Sequence, residues 1–74
     1  MFNLEVGQEL EFIEPATADG RAIAKGTRVR VGAIMAEVVE PQVTLVVIGG
    51  QAVETLTVPK HVVALHCRPV QKKL

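Results

Sequence analysis

Along residues 8–13, Leu10 and Phe12 alternate with Glu9 and Glu11. That period of two is the spacing of a strand with one face buried, and Val6-Gly7 just ahead of it supplies a turn. Residues 14–27 then lose the rhythm, punctuated by Pro15, Asp19-Gly20 and Gly26. A stretch this long in a small domain is a binding loop or a folded-back hairpin. Ile23, between Ala22 and Ala24, is expected to tuck inward and anchor it.

Alternation resumes over residues 28–39. Val29, Val31, Ala33 and Met35 fall on one face, Arg28 and Arg30 on the other. Gly32 stands on the arginine side, where the missing side chain permits a bend or bulge. Glu40-Pro41-Gln42 reads as a turn, because proline cannot donate to a sheet ladder. Residues 43–48 form a continuous apolar run broken by Thr44 alone, and Gly49-Gly50 closes a hairpin onto residues 51–58. Pro59-Lys60-His61 reads as a single turn, and residues 62–68 as the last strand, stopped by Pro69. Residues 71–74 are a short basic tail after one domain spanning 1–70.

Apolar positions recur by two rather than by three and four, and Pro or Gly interrupts nearly every window long enough for a helix. The expected fold is therefore all-β. Five short strands with a long loop after the first would leave edges exposed as a flat sheet, so a partly open barrel is expected.

Composition sharpens this picture. Of 74 residues, 49% are hydrophobic, yet Phe2 and Phe12 are the aromatics, with no Trp or Tyr. Branched side chains stiff at χ1 favour pleated sheet. Eight basic and eight acidic residues give a net charge of zero, which offers little electrostatic protection against self-association. The single cysteine, Cys67, excludes an intrachain disulfide and a four-cysteine zinc site. No basic segment followed by an apolar one opens the chain, and the run 45–48 is far below the roughly 20 residues of a membrane span. A cytoplasmic protein with no membrane association is expected.

The residues capable of chemistry do not converge. Cys67 beside His66 suggests an activated thiol, but neighbours in a strand point to opposite faces. Cys67 is then a core residue sharing a face with Val63 and Leu65, while His66 lies outward with Ala64 and Arg68. His61, His66 and Cys67 lack the paired spacing and fourth ligand of a metal site. Glu9 and Glu11 could be a carboxylate pair, but Arg28 and Arg30 share an outward face on the next strand, which favours a cross-strand ion-pair ladder. Gly49-Gly50 lacks the Lys and Ser/Thr of a phosphate loop. No catalytic residue, cofactor or metal is expected.

The order of elements resembles an SH3-like small barrel. Val58-Pro59-Lys60-His61-Val62-Val63 is similar to the segment where such domains make a short 3₁₀ turn and enter the last strand, and residues 14–27 would occupy the place of their specificity loop. SH3 domains dock proline-rich ligands on aromatic-lined grooves, and a chain without Tyr or Trp lacks the means to build one.

Binding rather than catalysis is therefore the expected role. Val43, Leu45 and Val47 would fill one face of their strand, leaving Val46 and Ile48 on the other, which is either an apolar patch suited to association or a surface covered by the loop 14–27. The expectation is a protein-interaction module or accessory subunit, self-associating through Val46 and Ile48 or placed in a larger complex. The alternative is nucleic acid bound by Arg21, Lys25, Arg28 and Arg30, with Lys60, Arg68, Lys72 and Lys73 as a second basic group. Zero net charge and the lack of stacking aromatics weigh against it.

Overall fold

Branched side chains at alternate positions make strands out of about half of the described residues. The computed structural model describes residues 3–18, 20–36, 39–49 and 53–70. Expectations for Phe2, Asp19, residues 37 and 38, residues 50–52 and the tail 71–74 fall outside them. The elements run β1 (Glu9–Phe12), β2 (Ala16–Ala18), β3 (Arg21–Ile23), β4 (Arg28–Met35), β5 (Gln42–Val47), β6 (Thr55–Pro59), α1 (Lys60–His66) and β7 (Cys67–Pro69).

They form two open sheets. The larger has the order β6-β5-β4-β1-β7, and β2 pairs with β3 as a separate hairpin. Every neighbouring pair is antiparallel. The protein is thus predominantly β, with one short helix. The strands expected at residues 8–13, 28–39, 43–48 and 51–58 correspond to β1, β4, β5 and β6. The stretch expected to be a loop or folded-back hairpin is a hairpin.

One face of the large sheet is the core. Val29 stands opposite Leu10 and Val47, Val31 opposite Leu45, and Ile34 opposite Val43. Val58 and Leu56 continue these rows on β6. The hairpin covers the layer with Ala18 and Ile23, and α1 covers it with Val63. Leu10, Phe12, Val29, Val43, Leu45, Val58 and Val63 are wholly shielded from solvent. Each such side chain contributes roughly 1.5–3 kcal/mol relative to an exposed one. A solvated ion pair gives about 0–1 kcal/mol, so the core rather than surface charge holds the fold.

Two sequence expectations require correction. Ala33 and Met35 do not join Val29 and Val31 on the inner face. The register shifts between Val31 and Ala33, leaving Gly32 as the extra residue of a β-bulge. Beyond it Ile34 turns inward, while Ala33 and Met35 face out, Met35 being 51% exposed. Gly32 does mark an irregularity, but its effect on the alternation was to shift it by one.

The second correction concerns residues 60–66, which form α1 instead of a turn and most of a strand. Pro59, at φ −56° and ψ 140°, precedes the helix without a side-chain cap. Val62, Val63 and His66 follow it at helical spacing and turn toward the core, whereas Leu65 is 69% exposed. A helix this short is not stable alone, since isolated helices need about 12–15 residues. Tertiary contacts hold it: Val63 is fully buried, and the Lys60 N–H donates to the Pro41 carbonyl at 2.9 Å. The Cys67 N–H donates to Val63 O, and Cys67 itself is already extended. β7 is consequently three residues long.

Backbone accounting at β7 shows how that edge of the sheet ends. The Ile13 N–H donates to His66 O and the Val70 N–H to Glu9 O, so the narrow pairs place Arg68 toward β1. Cys67 and Pro69 therefore point their backbone outward. The Cys67 donor is spent on Val63, and Pro69 has none. This edge offers no N–H to an incoming strand.

No helix among the described residues is long and apolar enough to cross a membrane. Gly49, in the turn after β5, has φ +88°, whereas Gly32 has ordinary backbone geometry, and a Cβ added there would meet Val46 Cγ2 at 3.4 Å. Gly49→Ala is expected to lower unfolding stability by about 1–2 kcal/mol, the cost of a left-handed L-residue. Gly32→Ala is expected to change it by less than about 0.5 kcal/mol. Chemical denaturation of the two variants checks both values.

Candidate functional site

Register fixes what the uncovered face of the large sheet displays. Glu9 lies opposite Arg30, and Glu11 lies between Arg28 and Arg68. Arg30 reaches Glu9 at 3.4 Å and Arg28 reaches Glu11 at 3.4 Å, so the cross-strand ladder expected from their spacing is present. This half of the face is charged but largely self-compensated.

The other half carries no charge. Val46 stands between Arg30 and Thr55, Thr44 between Ala33 and Thr57, and Gln42 between Met35 and Pro59. The bulge residue Gly32 leaves room over Val46, whose Cγ2 lies where a larger residue would crowd it. Val46 and Ile48 are half-buried, less open than a run of bare valines would suggest. Ile48 donates its N–H to Arg28 O at 2.9 Å, which places it beside the arginine at the rim. The hairpin and α1 lie on the opposite, core side and leave these residues uncovered.

The basic residues do not form one patch. Arg21, on β3, pairs with Glu54 at 3.5 Å across to the β5–β6 connection. Arg28 and Arg30 belong to the ladder on the sheet. Lys25 is exposed in the turn between β3 and β4.

Nor do the reactive side chains meet. Cys67 is buried at 2% exposure, in the core as expected although Leu65 does not accompany it. Burial away from water pushes its thiol from 9.0 up to about 12, so the nucleophilic thiolate is suppressed. His66 is not an outward strand residue: it ends α1 half-buried, with Nδ1 3.8 Å from Glu14 Oε2 and without a hydrogen-bond partner. His61 is exposed on the first turn of α1, on a different side of that helix. Among the described residues, no group of three or more His, Cys, Asp or Glu could hold a metal ion.

Two concavities stand out among the described residues. A cleft of about 300 Å³ runs between the hairpin and β5–β6, floored by Ile23, Val47 and Leu56 and bordered by Arg21 and Glu54. A pocket of about 270 Å³ lies between Pro41 and the outward side of α1, formed with Lys60, His61 and Ala64. The sequence reading missed the second because it depends on α1. The available signal was the spacing of Pro59, Val62, Val63 and His66, which repeats by three and four and leaves residues 60, 61 and 64 on the opposite side.

Because the Cys67 thiol ionises near 9.0 in an unfolded chain and near 12 in the folded one, the folded state holds more protons between those values. Stability is expected to fall as pH rises from about 9 toward about 12. Cys67→Ala should flatten that part of the unfolding profile, and alkylation of the native protein at pH 8 should proceed only on addition of denaturant. The chain matches no family model, no curated protein and no solved structure.

Proposed function

We propose that this chain is a non-catalytic protein-interaction module with an SH3-like arrangement, associating with a second copy of itself through the outer face of its large sheet. The order β6-β5-β4-β1-β7 supports the SH3-like reading. The last strand returns to the first, a hairpin fills the connection after the first strand, and a short helix precedes the last. Peptide binding of the SH3 type is not carried over, because the sequence has no Tyr or Trp.

The observation that carries the reading is the division of the outer face. Its uncharged half, centred on Val46 with Ala33, Met35, Thr44 and Thr55, presents small, branched and thioether side chains on the sheet. Nothing among the described residues packs over it. Its charged half places Glu9 and Glu11 against Arg28 and Arg30. A second copy related by a two-fold axis meets the same surface in reverse, so the uncharged halves can close together while the charged rows stay in water. Association by added strands is disfavoured at β7, where the outward edge has no donor.

Nucleic-acid binding by Arg21, Lys25, Arg28 and Arg30 is less well supported. Phosphate binding needs local positive potential, and Glu54, Glu11 and Glu9 lie within 3.5 Å of the three arginines. The buried Cys67 and the separated histidines lend no support to catalysis.

Static light scattering over a concentration series tests the proposal. The mass is expected to rise from 8.0 kDa toward twice that value, and Val46→Lys is expected to hold it at the monomer. A wild-type chain that stays monomeric up to about 1 mM overturns the reading. Salt-dependent retention of an oligonucleotide, weakened by Arg28→Ala, would move the function to the nucleic-acid class.

A further inference from the structure

We propose that the pocket between Pro41 and α1 receives an aliphatic side chain of a partner protein whose neighbouring residue is Glu or Asp. This surface is separate from the outer sheet face, and the inference does not depend on self-association.

The walls are apolar. Pro41 lines the pocket together with Lys60, His61 and Ala64 of α1. The space of about 270 Å³ exceeds the roughly 150 Å³ that accommodates a benzene ring in a protein interior. Leu65, next to Ala64 on α1, is 69% exposed, and Val39, two residues before Pro41, is exposed as well. Exposed apolar surface of this kind, bordered by polar groups, marks association sites.

Charge identifies the occupant. Arg21, Arg28 and Arg30 each have a carboxylate partner. Lys60 is in none of the ion pairs of the described residues, although Glu40 is exposed nearby in the chain beside Pro41. An apolar pocket next to an unneutralised ammonium, with an imidazole beside it, complements an aliphatic group bearing a carboxylate one residue away. The stem of Lys60 can pack on the incoming side chain while its ammonium stays in water at the carboxylate.

The pocket is also formed in advance. The Lys60 N–H to Pro41 O bond of 2.9 Å ties its two walls together. Pro41 has a fixed φ, and the Gln42 side chain bonds Glu40 O at 3.4 Å. Binding therefore orders little of this protein, which lowers the entropic cost that a small contact must overcome.

Titration of the full ¹⁵N-labelled chain tests the assignment, with acetyl-Ser-Leu-Glu-Ser-amide as probe and acetyl-Ser-Leu-Gln-Ser-amide as its neutral counterpart. The Val46→Lys background keeps the reading independent of self-association. Amide signals of residues 39, 40, 42 and 60–65 are expected to shift, and the Glu peptide should bind about two- to fivefold more tightly than the Gln peptide. Lys60→Gln, at an exposed position, should abolish that preference, and Ala64→Arg should abolish binding of both. No shift up to about 10 mM peptide, shifts located elsewhere, or equal binding of the two peptides would each overturn the proposal. So would binding to phosphatidylglycerol vesicles without response to either peptide, since the face would then be a membrane contact.

Discussion

The structure depends on covering one face of a five-stranded sheet with very little chain. The sheet supplies Leu10, Phe12, Val29, Val31, Val43, Leu45, Leu56 and Val58 as an inner layer. A second sheet of equal size is not available in a domain of 74 residues. The lid is made instead from two small pieces, a hairpin contributing Ala18 and Ile23 and a helix contributing Val63. Small domains bury a modest share of their surface, and a single cysteine leaves this chain without an intrachain disulfide. Each piece of the lid is therefore tied to the sheet beyond its apolar contact. At the hairpin this is the solvent-exposed pair Arg21–Glu54, a minor contribution beside Ala18 and Ile23, and at the helix the bond from Lys60 N–H to Pro41 O.

Those ties also define the concave surfaces. Where the hairpin meets β5 and β6 it leaves a cleft, and where α1 meets the turn before β5 it leaves a pocket. The core-forming contacts and the candidate binding features are thus consequences of the same packing problem. The outer face differs: no part of the described chain is packed over it, and its character is set by which residues of β1, β4, β5 and β6 fall in register.

Much of this was legible in the sequence. Glu9 and Glu11 facing Arg28 and Arg30 could be read from two alternating segments, and the antiparallel register pairs Glu9 with Arg30 and Glu11 with Arg28. Ile23 as an anchor and Cys67 as a core residue also followed from local pattern. What escaped was decided by longer-range packing. Reading straight through Gly32 assigns Ala33 and Met35 to the core, whereas skipping it restores perfect alternation of Val29, Val31 and Ile34. A sequence pattern alone does not announce which residue a bulge has set aside. Residues 60–66 were misread because Val62 and Val63 favour strands and the helix is too short to form unaided. Without the helix, Lys60, His61 and Ala64 could not be seen as one surface.

The sealed margin at β7 gives the sheet a direction. A chain whose sheet can be lengthened at both sides is able to polymerise, each molecule continuing the last. Here one side is a terminus, because a proline and an already committed amide occupy the places where hydrogen would have to be given. A protein rich in valine and without net charge would otherwise be a natural fibre former. Growth of the sheet by an added strand is thereby hindered on that side, whichever surface the chain uses to associate.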